Sequence, residues 1–167
     1  LLKQASALQQ LTTFGDEAII GVQASIAAFT KNEEEIKKTT EATLDFASAM
    51  GFDLKSAGDL IAKTLGSSTN ALTRYGVEVT GAVGSTERLT TLTEGIAKLW
   101  GGQAAAAAET MAGALSQMKN ATGDLSEAMG ELLSGPVTVW AKKTKEIAEN
   151  LTEMFNVTQT MTDQDNI

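Results

Sequence analysis

The sequence predicts an all-α protein: a cluster of short helices followed by two long heptad-patterned helices, coiled-coil-like and expected to be oligomeric. Three observations predict it. One proline in 167 residues leaves long stretches free to stay helical. Apolar residues recur at steps of three and four along most of the chain, the spacing of a single helix face. Cap residues such as Asn32, Asp53 and Ser85 stand before those runs, and Gly51, Gly66 and Gly101 stand after them.

Taken in order, residues 1–11 mix apolar residues with Lys3 and several glutamines and lack the basic-then-apolar order of a secretory signal. Phe14-Gly15-Asp16 reads as a turn and cap, after which Ile19, Val22, Ile26 and Phe29 mark one helix face. Asn32 followed by Glu35 predicts an N-cap with a carboxylate at the third helical position. The helix it opens carries Ile36, Leu44, Ala47 and Met50. Its charge order, Glu33-Glu34-Glu35 before Lys37-Lys38, suits the helix dipole and needs no catalytic explanation. Asp53 caps a further helix with Leu54, Ala57, Ile61 and Leu65 on one side, and Ser68 is expected to cap a short helix through Leu72 and Tyr75. From Gly76 to Ser85, Val77 and Val79 alternate with polar residues between glycines, which predicts a short extended excursion or loop. Ser85 restarts helix, and Leu89, Leu92, Ile96 and Leu99 form a stripe closed by Gly101-Gly102. Residues 1–102 are therefore expected to form a short-helix module.

The pattern then changes. Ala108, Met111, Leu115, Met118, Thr122, Leu125, Met129 and Leu132 follow one another by alternate steps of three and four, a heptad repeat within a helix expected over 103–134. Gly135-Pro136 interrupts it, and proline suits the first turn of a new helix. A second heptad helix is expected over 136–161, with Trp140, Thr144, Ile147, Leu151, Met154, Thr158 and Met161 on its seam. The eight residues from Leu132 to Trp140 shift its phase, and 162–167 read as a frayed or truncated end. Two apolar seams need partners. A self-associating bundle is the favoured solution, built on Ala108, Met111, Leu115, Met118, Thr122, Leu125, Met129, Leu132, Trp140, Ile147, Leu151 and Met154. An antiparallel hairpin, or seams that cover the upstream helices, are the alternatives.

Composition excludes several kinds of chemistry. The chain has no histidine and no cysteine, which removes the commonest general base and the usual ligands of zinc and iron–sulfur sites. Its formal charge of −8, from 21 acidic and 13 basic residues, argues against specific nucleic-acid binding, which depends on clustered Lys and Arg. Gly81-Ala82-Val83-Gly84-Ser85 has the glycines of a phosphate loop but neither its lysine nor its spacing. Lys55 and Ser56 are adjacent on a helix and do not face each other. Trp100 and Trp140 lie on helical stripes and are read as packing residues. No catalytic residue, metal site or cofactor is expected, and the chain is read as no enzyme. The richest apolar stretch, 104–115, is shorter than the ~20 residues a bilayer span requires. Any membrane contact is expected through other parts of a longer parent, since the chain opens at Leu1 and reads as a piece of one.

The residues also carry a resemblance. Residues 13–20 (TFGDEAII), 24–29 (ASIAAF), 42–51 (ATLDFASAMG), 71–77 (ALTRYGV), 84–89 (GSTERL), 100–104 (WGGQA) and 115–125 (LSQMKNATGDL) resemble, in order, the tape measure proteins of tailed bacteriophages. The likeness covers about residues 8–133. It implies a virion structural protein in the tail lumen or at the tail tip, assembled in the host cytoplasm and acting in tail length determination, tail assembly and DNA ejection. Implied partners are the tail tube and tail tip or baseplate proteins, with copies of the chain itself as a trimer or, failing that, a hexamer. At ~1.5 Å per residue the chain reaches only ~250 Å even if wholly helical, so it is expected to be a module of the ruler and not the whole of it. Two other functions stand as alternatives: a membrane-active channel module used in genome delivery, implied by the same resemblance, and a bacterial helical-bundle interaction module, since Ala/Thr/Glu-rich heptads also occur in those.

Overall fold

A computed structural model describes residues 1–134, and every regular element among them is helical. Seven α-helices follow in order: α1 (Leu2–Leu11), α2 (Asp16–Ile26), α3 (Glu33–Met50), α4 (Leu54–Gly66), α5 (Thr86–Trp100), α6 (Gln103–Ala108) and α7 (Met111–Ser134). A single 3-10 turn, Thr73–Tyr75, lies between α4 and α5. Residue contacts divide the chain into two units, Leu1–Asn120 and Ala121–Ile167, and only 121–134 of the second are described. The expected second heptad helix at 136–161, the Gly135-Pro136 break and the 162–167 end lie outside the described residues.

The first unit is organised around α3, which packs against α2, α4, α5 and α6. Its buried face holds Ile36, Leu44, Phe46 and Ala47, met by Ile19, Val22 and Ile26 of α2, Ile61 and Leu65 of α4, and Leu92 and Ile96 of α5. Three threonines are buried on the same helix, Thr39, Thr40 and Thr43. None is left without a partner. Thr40 and Thr43 donate to the carbonyls of Ile36 and Thr39, at 2.7 Å each, and Thr39 bonds Thr93 of α5 at 2.9 Å. A buried hydroxyl is tolerated on those terms, because an unpaired one would forfeit its hydration.

Phe46 anchors the far end of the core. Its ring lies 5.8 Å from Phe52, 5.3 Å from Tyr75 and 5.4 Å from Trp100, the first two edge-on and the third tilted. Trp100 is therefore a packing residue, as its stripe predicts.

The caps show how local sequence fixes the helix starts. Asn32 Oδ1 accepts the N–H groups of Glu34 and Glu35, Asp53 accepts that of Ser56, and Ser85 Oγ accepts that of Arg88. Glu35 does not close a capping box on Asn32. Instead the Asn32 N–H donates to Thr30 Oγ1, and Thr30 donates to the Glu35 carboxylate, so one hydroxyl relays between the two. The expected Ser68 cap is corrected as well. Asn70 organises that turn, its Oδ1 accepting from Leu72 N–H and its amide donating to the Val77 carbonyl. An amide can accept and donate at once, which a turn and the strand-like segment after it both require. That segment forms no strand, but its alternation holds: Val77 is buried, Glu78 exposed, Val79 half-buried and Thr80 exposed.

Two further differences concern the ends of the module. Residues 2–11 form α1, whose Ala5 is buried and whose Leu8 packs on the core, although no stripe in the sequence announces it. Across 103–134 the periodicity is unbroken, yet α6 and α7 are separate helices with a corner at Glu109–Thr110.

Candidate assembly face

The seam residues named from sequence fall into three groups. Ala108 is buried at the end of α6. Met111, Leu115, Met118, Thr122, Leu125, Met129 and Leu132 lie on α7. Trp140, Ile147, Leu151 and Met154 are outside the described residues.

On α7 the seam is turned to solvent where it is described. Leu115 is 66% exposed, Met118 52% and Met129 54%; Thr122 is exposed and Leu125 half-buried. The rotation follows from what the first turns of α7 use to dock. Gly113 is buried and Ala114 half-buried, and Gln117 and Asn120 reach the end of α1. Gln117 Nε2 donates to the Gln10 carbonyl at 3.0 Å, and Asn120 Nδ2 to the Thr13 carbonyl at 3.4 Å. The Gln10 carbonyl belongs to the last turn of α1, where no next turn supplies an N–H, and the Thr13 carbonyl lies just past it. Each such bond contributes about 1 kcal/mol. The dock is thus polar and small-sided, and it leaves Leu115 and Met118 exposed.

The corner before α7 is built by two residues. Thr110 Oγ1 donates to the Ala107 carbonyl at 2.8 Å and accepts the Gly113 N–H at 3.0 Å, so one hydroxyl both closes α6 and caps α7. Gly113 packs directly on α6. A Cβ there would run into the carbonyl oxygen of Ala107 and come within 2.6 Å of that of Ala108. Only glycine fits, because the obstacle is backbone. The other end of α6 is capped from a distance: Asp45 of α3 accepts the N–H groups of Gly102 and Ala104 at 3.1 and 2.9 Å.

The segments read as lacking chemistry have physical explanations of their own. In the 81–85 loop the carbonyl of Gly81 accepts from Arg88 Nη1 at 3.1 Å, so the loop presents an acceptor inward where a phosphate cradle would present donors. Gly81 stands at φ 92, with Arg88 N only 2.7 Å from where its Cβ would be. Arg88 itself is 4% exposed and also donates to the carbonyls of Thr64 and Ser67, at 2.8 and 2.9 Å, tying the α4–α5 connection to α5. Sequence reading did not single it out; an arginine within an apolar stripe is the only signal, and two of its three acceptors lie 24 and 21 residues back. Lys55 pairs with Asp59 and Ser56 with Asp53, so the two do not form a dyad. Beside these, an open groove of about 510 Å³ is lined by Leu60, Lys63, Asn70, Ala71, Thr73 and Arg74. Arg74 stacks over the Tyr75 ring at 4.8 Å, and Asn70 is committed to backbone bonds. No described helix is long and apolar enough to cross a membrane.

What the fold and this face define is a helical module that carries exposed apolar side chains on its last described helix. Compared with protein-family models, with curated proteins and with solved structures, the chain shows no match in any of the three.

Proposed function

We propose that this chain is a structural module of a phage tail tape measure protein, acting by self-association through α7. The observation that carries the reading is the exposure of Leu115, Met118 and Met129 on one heptad stripe of a helix whose docking contacts are made by other residues. Apolar side chains at that spacing exclude water best against a second helix carrying the same spacing. The ordered tail-protein motifs supply the setting: assembly within or at the tip of a tail, around an axis that favours three copies. The acidic surface suits a conduit through which DNA must pass without sticking.

The test is the solution mass of the full 167-residue chain by light scattering across a concentration series, beside a variant carrying L115S and M118S. A trimer that the double substitution converts to a helical monomer supports the reading. A parent chain that stays monomeric at every concentration sinks it. A hexamer would keep the mechanism and change the symmetry.

A further inference from the structure

We propose that the Glu109–Thr110 corner is a hinge, and that α7 swings from its dock on α1 to continue the axis of α6. Four observations meet at this point. The heptad register runs through the corner without a slip, from Ala104 and Ala108 on α6 to Met111, Leu115 and Met118 on α7, as though written for one helix. Glu109 is already nearly helical, at φ −73 and ψ −8, so a change of roughly 30° in ψ brings it to helical values. Side-chain hydrogen bonds hold the corner, the Thr110 hydroxyl cap and the bonds of Gln117 to the Gln10 carbonyl of α1 and of Asn120 to the Thr13 carbonyl just past it, beside the packing of Gly113 on α6. What holds α6 is firmer, since Ala104 and Ala108 are buried and Asp45 caps its start.

The asymmetry assigns the moving part. α6 stays on α3, and the first turns of α7 leave. Straightening restores main-chain bonds across 109–113 that the corner gives up, and the Gln10 and Thr13 carbonyls pass to water. It also frees the docked side of α7, which stands next to the seam, so that a second copy can approach the helix from more directions. This last consequence rests on the self-association reading; the hinge does not.

The cysteine-free chain permits clean labelling at S6C on α1 and K119C on α7, both exposed positions. Pulsed electron resonance on labelled chain diluted into excess unlabelled chain reads only the intrachain distance. G113A, which cannot form the corner, is expected to lengthen that distance with helicity retained. Q117A/N120A, which removes the two side-chain bonds of the dock without any steric insult, is expected to shift part of the population the same way. Should G113A lose helicity, Q117A/N120A decides alone: a lengthened fraction supports the hinge and an unchanged distance overturns it. An unchanged distance in both helical variants overturns it outright. Self-association is read separately, from mass, so either idea can fail without the other.

Discussion

α3 and α7 are the two longest helices described, and they treat apolar residues in opposite ways. α3 has neighbours on most sides and buries Ile36, Leu44, Phe46 and Ala47 with three bonded threonines between them. α7 docks through Gly113, Gln117 and Asn120 and leaves Leu115 and Met118 in water. A helix whose apolar face is spent on its own chain serves stability; one whose apolar face is unspent is free to serve assembly. The difference predicts that substitutions on α3 act on folding and those on α7 on mass.

The largest effect is expected at Phe46. Its replacement by alanine removes the ring that three others pack around and should cost about 3–5 kcal/mol, read by chemical denaturation. R88M should follow at about 3 kcal/mol, because the buried carbonyl of Thr64 and the part-buried carbonyls of Ser67 and Gly81 lose their donor. Acid should weaken the first unit more gently through Asp53. Its carboxyl is held below the usual value of 3.8 by the Ser56 hydroxyl first and the Ser56 N–H second. A lowered folded value means the contribution is complete above 3.8 and disappears as pH falls through the folded value. Melting temperatures compared between about pH 5 and about pH 3 should therefore fall less in D53N than in the parent. The smallest effect on stability is expected from L115S, within about 0.5 kcal/mol, while its effect on solution mass should be the largest of the set. An L115S chain that melts early and keeps its mass would erase the contrast between the two helices.

Local signals account for much of what the sequence revealed. Asn32, Asp53 and Ser85 cap within three residues of themselves, so chemistry and spacing are enough to find them. The stripes of α2, α4 and α5 were legible for the same reason: one buried face, one period. What stayed hidden depends on partners remote in the chain. Asp45 caps a helix 57 residues further on, and Arg88 reaches a carbonyl 24 residues back. The corner at Glu109–Thr110 left one local trace, a threonine three residues before Gly113, which the stronger heptad pattern masked. α1 was invisible because its burial rests on Ala5 and a partly buried Leu8 among glutamines. On the candidate face, spacing gave the stripe but not its direction, since the same period fits a helix turned inward or outward.

The Asp45 cap also orders events in time. α6 has only six residues, five of them alanine, and helices of that length do not hold in water alone. Its first N–H groups find their acceptor only once α3 is in place, so α6 is completed after α3. The corner and the dock of α7 come later still, because both are built on α6 and on the end of α1. A chain emerging from its N-terminus can therefore complete each layer before the next one needs it, and the apolar stripe of α7 reaches solvent on a finished scaffold.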